Sequence, residues 1–196
     1  MRQQIIGCFN RMFWFLLFSI VLGFGIVKEQ QYIFIYYTMW SFTLEIVYFG
    51  LLLFGRKTRG LLSIILAPSI VICAGFWIVI APMVQWSRPN VNILMTLVTH
   101  GCNMIALLAQ KQERIYAHEV WKPVLFTTIY NIFLALYVGS GGRSVSGNLP
   151  YWYAQYDTPI GWVFALLAIF ANAVVHTGVA SYMYPQDKEH STPHTV

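Results

Sequence analysis

Thr38, Glu45, His100, Asn103, Asn131, Asn172 and His176 all lie in stretches that are otherwise apolar. A threonine hydroxyl becomes a nucleophile when a base within hydrogen-bond reach removes its proton. A histidine is the usual base, and a carboxylate or amide can orient the imidazole. The spacing groups these residues. Thr38 and Glu45 are seven positions apart and share a helix face, His100 and Asn103 are three apart, and Asn172 and His176 are four apart. Three apolar segments thus each carry a polar stripe, and lipid is the surrounding those stripes must avoid. A carboxylate at mid-membrane costs about 2.5–3.5 kcal/mol on insertion scales, so Glu45 must face protein and find a partner or hold a proton. His100, His176 and Glu45 could supply three metal ligands, but no HExxH-like spacing accompanies them. Neither a metal nor a cofactor is expected. GxSxG, Walker, GxGxxG and CxxC motifs are absent.

The elements that position these residues follow from composition. Of 196 residues, 58% are hydrophobic and 10% charged, with a mean hydropathy of +0.60. A soluble domain carries about 25% charged residues, and one of this size could not hide so much apolar surface. The expected fold is all-α, a polytopic helix bundle in a membrane. Six windows predict spans, at 12–27, 32–54, 61–82, 91–110, 123–139 and 160–184, against a requirement of about 17–25 residues. Alternation by two is absent, which argues against a β-barrel. The first window lacks a cleavage site after its apolar core and reads as a retained helix rather than a signal peptide.

Charge sets the orientation. With the N-terminus inside, inner segments hold Arg2, Arg11, Arg56, Lys57, Arg59, Lys111, Arg114, Lys122 and Lys188, and outer segments hold Lys28, Arg88 and Arg143. The positive-inside rule then predicts six transmembrane helices with both termini cytoplasmic. The net charge of +5 reports topology, because no basic run suited to nucleic acid is present. Links are short, so residues 1–185 read as one transmembrane domain. Residues 186–196 read as a polar, disordered cytoplasmic tail. The longest link, "GSGGRSVSGNLPYWYAQYDTP", has an aromatic second half expected to lie on the membrane surface or cap the bundle mouth. Cys8, Cys73 and Cys102 offer no disulfide framework.

Spans two and four would both run inward. At 1.5 Å per residue, Thr38 then lies about 9 Å and His100 about 13 Å below the outer ends of their spans, depths that permit contact. Thr43, Thr96, Thr127 and Thr128 fit the common role of hydroxyls that bond their own helix backbone. Asn103, Asn131 and Asn172 fit interhelical hydrogen bonding or support of a site.

The segments "HGCNMIALL", "KPVLFTTIYNIFLALYVGSGG" and "YAQYDTP", in that order over about residues 90–180, resemble the Rolling stone family of insect myoblast-fusion membrane proteins. Span two, "YYTMWSFTLEIVYFG", resembles the Thr-led helix of that family. It is also similar to the androgen-induced membrane hydrolases, which cleave branched fatty-acid esters of hydroxy fatty acids with an intramembrane Thr and His. That resemblance implies roles for Thr38 and His100. The hydrolase motif reads His-Gly-Met-His, whereas this chain has His100-Gly101-Cys102-Asn103, so an asparagine stands where the second histidine falls.

Two function classes are therefore expected. One is a lipid-ester hydrolase with Thr38 as nucleophile, His100 as base, and Glu45, Asn103 and Asn131 as supporting polar residues. The other is a structural or adhesion- and fusion-related membrane protein whose polar stripes hold the bundle together. Membrane lipids are the expected partners, a fatty-acid ester the substrate of the first class, and the endoplasmic reticulum or plasma membrane the setting.

Overall fold

The computed structural model describes residues 2–56, 58–83, 93–110, 114–144 and 146–183. All regular structure there is helical, in the order α1 (Arg2–Glu29), α2 (Tyr37–Leu53), α3 (Arg59–Gly75), α4 (Ile93–Leu97), α5 (Asn103–Leu108), α6 (Trp121–Gly139) and α7 (Pro159–Met183). Short 3-10 turns precede α2 (Gln30–Ile35) and α6 (Ala117–Val120). Two π-helical segments interrupt the pattern. Phe76–Ile80 continues α3, and Val98–Cys102 joins α4 to α5.

Four helices are long and apolar enough to cross a membrane: Gly7–Val27, Gly60–Ile80, Ala117–Gly139 and Pro159–Tyr182. Their outward faces carry Phe13, Ile20, Leu166 and Phe170, all exposed. A water-soluble chain does not display such continuous apolar faces, so this is a membrane protein. The windows 32–54 and 91–110 correspond to the shorter apolar helices Tyr37–Leu53 and Met95–Leu108. Helix α2 is short for visible reasons. Tyr36 is extended at its start. At its end Gly55 takes φ +66°, and the Arg56 amide bonds back to Leu51 O at 3.0 Å, the left-handed cap that glycine allows. Lys57, Arg88, Lys111 and Lys188 of the charge argument, and the tail 186–196, lie outside the described residues.

Helix α3 is the central element, packing against α2, α5, α6 and α7. Leu62, Ile65, Leu66 and Ala67 are buried along it. Pro68 lies inside α3 and supplies no backbone N–H, a defect a membrane helix tolerates when neighbours satisfy the freed groups. Phe18 of α1 meets Phe42 and Phe49 of α2 at ring distances of 4.8 and 5.7 Å, locking α1 to α2 by aromatic packing.

The 140–158 link folds over one end of the bundle. Ala154 is fully buried. The Tyr151 hydroxyl accepts the Tyr37 backbone N–H at 3.0 Å, and the Tyr156 hydroxyl donates to Asn131 Oδ1 at 3.3 Å. The aromatic half of the link is thus a cap on the bundle mouth, and it covers the first turn of α2.

Candidate functional site

Thr38 is the second residue of α2, directly under that cap. His100 sits in the middle of the π-helical segment Val98–Cys102. Such segments widen the backbone ladder, are rare, and frequently occur at functional positions. The two helices bring Thr38 Oγ1 to 3.5 Å from His100 Nε2. That is longer than a formed hydrogen bond, and catalytic contacts often tighten only when substrate arrives. Both side chains are half-buried, so the pair is reachable.

The imidazole is held at Nδ1 and on one ring face. Its Nδ1 lies 2.8 Å from Thr99 Oγ1 and 3.2 Å from Thr96 O. A carbonyl can only accept, and the Thr99 hydroxyl already donates to Met95 O at 2.9 Å. Those partners assign the proton to Nδ1, which leaves the Nε2 lone pair facing Thr38. The ring of Phe76 stacks on His100 at 4.0 Å and 29°. Trp77 Nε1 donates to His100 O at 2.8 Å. Phe76 and Trp77 open the other π-helical segment, so the two irregular stretches face one another across the histidine.

The start of α2 contributes a further group. The first N–H groups of a helix have no intrahelical acceptor. Here the Tyr37 amide bonds Tyr151, and those of Met39 and Trp40 bond Tyr36 O. Among the described residues the Thr38 amide has no acceptor. It sits beside the Thr38 hydroxyl, at the positive end of the helix dipole.

Glu45 and Asn103 do not orient the imidazole, a role sequence spacing leaves open to either. They bond one another two helical turns away from Thr38. Glu45 is fully buried. Its Oε1 accepts from Ser69 at 2.5 Å, Ser41 at 3.2 Å and Asn103 Nδ2 at 3.3 Å. These three neutral donors come from α3, α2 and α5. They knit the bundle, while Glu45 Oε2 and Asn103 Oδ1 are buried with no partner among the described residues. Asn131 stands apart from both groups. Its Nδ2 donates to Thr127 O at 2.8 Å, and its Oδ1 accepts from Tyr156 under the cap. His176 bonds Tyr116 O at 3.0 Å through Nε2, between α7 and the turn before α6, and makes no contact with His100. No cluster of three or more His, Cys, Asp or Glu is present among the described residues.

Sequence reasoning missed Phe76, Trp77 and the orienting role of Thr96 and Thr99. Thr96, four positions before His100, was legible in principle as a local partner on the same helix face, whereas Thr99, its chain neighbour, was not. The aromatic pair carried no such signal.

A cavity of about 400 Å³ lies between α3, α6 and α7; Tyr37, the chain neighbour of Thr38, lines it, but neither Thr38 nor His100 does. Tyr37, Thr127 and Asn131 line its polar end, and Leu134, Phe164 and Leu167 its apolar walls. Comparison with family models, curated proteins and solved structures gives no match. The reading of function therefore rests on this geometry.

Proposed function

We propose that the chain is an intramembrane hydrolase of lipid esters, with Thr38 as nucleophile and His100 as general base. The observation that carries the reading is the approach of Thr38 Oγ1 to an Nε2 lone pair whose tautomer is set by Thr96 O and Thr99. An unassisted threonine is too weak a nucleophile, and this arrangement supplies the base and the base's orienter.

In the proposed cycle the Thr38 hydroxyl proton passes to Nε2 while Oγ1 bonds the ester carbonyl carbon. The Thr38 amide is placed to bond the oxyanion that forms, as preorganised N–H groups do in acyl transfer. The C–O bond to the alcohol breaks, and the alcohol leaves with the proton from Nε2. Water, deprotonated by Nε2, then attacks the acyl-threonine. The acid departs and the proton returns to Thr38.

The proposed setting is a bundle crossing the membrane six times with both termini cytoplasmic, in the endoplasmic reticulum or plasma membrane. The nine inner against three outer basic residues support it. A C-terminal tag accessible from outside intact cells overturns that topology.

The hydrolase reading is tested with a fluorophosphonate probe on the full chain in lipid, alongside turnover of long-chain fatty-acid esters. Labelling of wild type and loss of labelling in Thr38→Ala are expected. Labelling that persists in Thr38→Ala, or wild type with neither labelling nor turnover, rejects the reading in favour of a structural, Rolling stone-like role.

A further inference from the structure

A second pocket, of about 770 Å³, opens at the capped end of the bundle, away from Thr38. It lies between the end of α6 at Gly139 and the start of α7 at Pro159. Both helices are long and apolar enough to cross a membrane. Its lining combines Arg143, Asp157, Tyr156 and Trp162 with the apolar Leu136 and Leu149.

Arg143 and Asp157 share this pocket yet form no ion pair with one another or with any other described residue. Arg143 Nη1 bonds only the neighbouring Gly142 O, at 2.8 Å, which leaves most of the five guanidinium donors available. Its backbone is held by the Tyr137 hydroxyl, which donates to Arg143 O at 2.6 Å. The Asp157 carboxylate has no side-chain hydrogen bond to another described residue. Tyr156 and Trp162 line the same pocket, edge to face at 5.2 Å. Trp162 Nε1 donates to Tyr156 O at 2.9 Å and fixes the pair. Gly161 allows the close fit. A Cβ there would fall 2.7 Å from Gln155 O, so any other residue would push the aromatic segment off the helix.

We propose that this pocket binds the headgroup of a zwitterionic choline phospholipid. Arg143 takes the phosphate. Tyr156, Trp162 and Asp157 take the quaternary ammonium, which aromatic faces attract through their quadrupoles. Leu136, 70% exposed, continues the pocket toward the acyl region. Charge complementarity selects this occupant. Phosphatidylglycerol would offer Arg143 the same phosphate but no cation for Asp157 and the aromatic faces. The site is independent of the Thr38–His100 chemistry.

The test is lipid retention by the detergent-purified full chain in native mass spectrometry, with dimyristoyl phosphatidylcholine and dimyristoyl phosphatidylglycerol as probes. Preferential retention of phosphatidylcholine is expected. Losing one charge-assisted contact is expected to weaken it about tenfold in either Arg143→Gln or Asp157→Asn. Both side chains are exposed, so the variants should melt like wild type. Trp162→Ala should weaken choline-lipid binding. Equal retention of the two lipids, a preference for phosphatidylglycerol, or binding unchanged in Asp157→Asn overturns the proposal.

Discussion

Thr38 Oγ1 and His100 Nε2 lie 3.5 Å apart although 62 residues separate them in the chain. Each sits at a local irregularity, Thr38 in the first turn of α2 and His100 in a π-helical segment. If the two act as one unit, Thr38→Ala and His100→Ala should each lower ester turnover by about 10²–10⁴-fold. The double variant should be no worse than either single one. Thr38→Ser, which keeps the hydroxyl, should retain measurable turnover. Additive losses in steady-state kinetics would show that the residues act separately.

Trp77 supports the histidine from outside. Trp77→Phe keeps the ring but removes the donor to His100 O. The expected cost is about 1 kcal/mol of stability, seen as a lower melting temperature in detergent, together with reduced turnover. A variant that melts and turns over like wild type would show that the indole N–H holds nothing in place.

Glu45 tests the buried polar network. Glu45→Gln keeps an acceptor for Ser41, Ser69 and Asn103 and is expected to fold and melt close to wild type. Glu45→Leu leaves the Asn103 amide without its acceptor, while Ser69 can still donate to Ile65 O and Ser41 to Ser69, and should destabilise by about 1–3 kcal/mol. Equal destabilisation by Gln and Leu in thermal melts would mean that the carboxylate charge, and not its acceptor geometry, is what the bundle needs.

The cap should respond to alkali. Burial pushes the Tyr151 phenol up to about 12, above the ordinary value near 10. Above pH 10 the unfolded chain therefore binds fewer protons at this group than the folded one. The Tyr151 contribution is fully present below pH 10 and is lost as pH rises from about 10 to about 12. Tyr151→Phe should flatten that part of a stability–pH curve. It should also expose the 140–158 link to protease, because the Tyr37 amide loses its acceptor. An unchanged curve and cleavage rate would contradict a capping role.

Composition and pattern determined the class of the molecule. So few charges over 196 residues leave lipid as the solvent, and long apolar runs in lipid must close their own hydrogen bonds as helices. The aromatic composition of the 140–158 link left it either on the membrane surface or over the bundle mouth, and helical spacing put Glu45 and Asn103 on polar stripes. Which stripes meet was a different matter. Periodicity assigns a residue to a face of its own helix but says nothing about the neighbour that face will find. Only the packing around α3 decided that Glu45 binds Asn103 and Ser69 rather than the imidazole, and that Asn131 bonds the cap. The π-helical turns at Phe76–Ile80 and Val98–Cys102 were invisible for the same reason. In the second of them Trp77, on another helix, supplies a donor to His100 O, and such a long-range contact leaves no mark on the local pattern of residues.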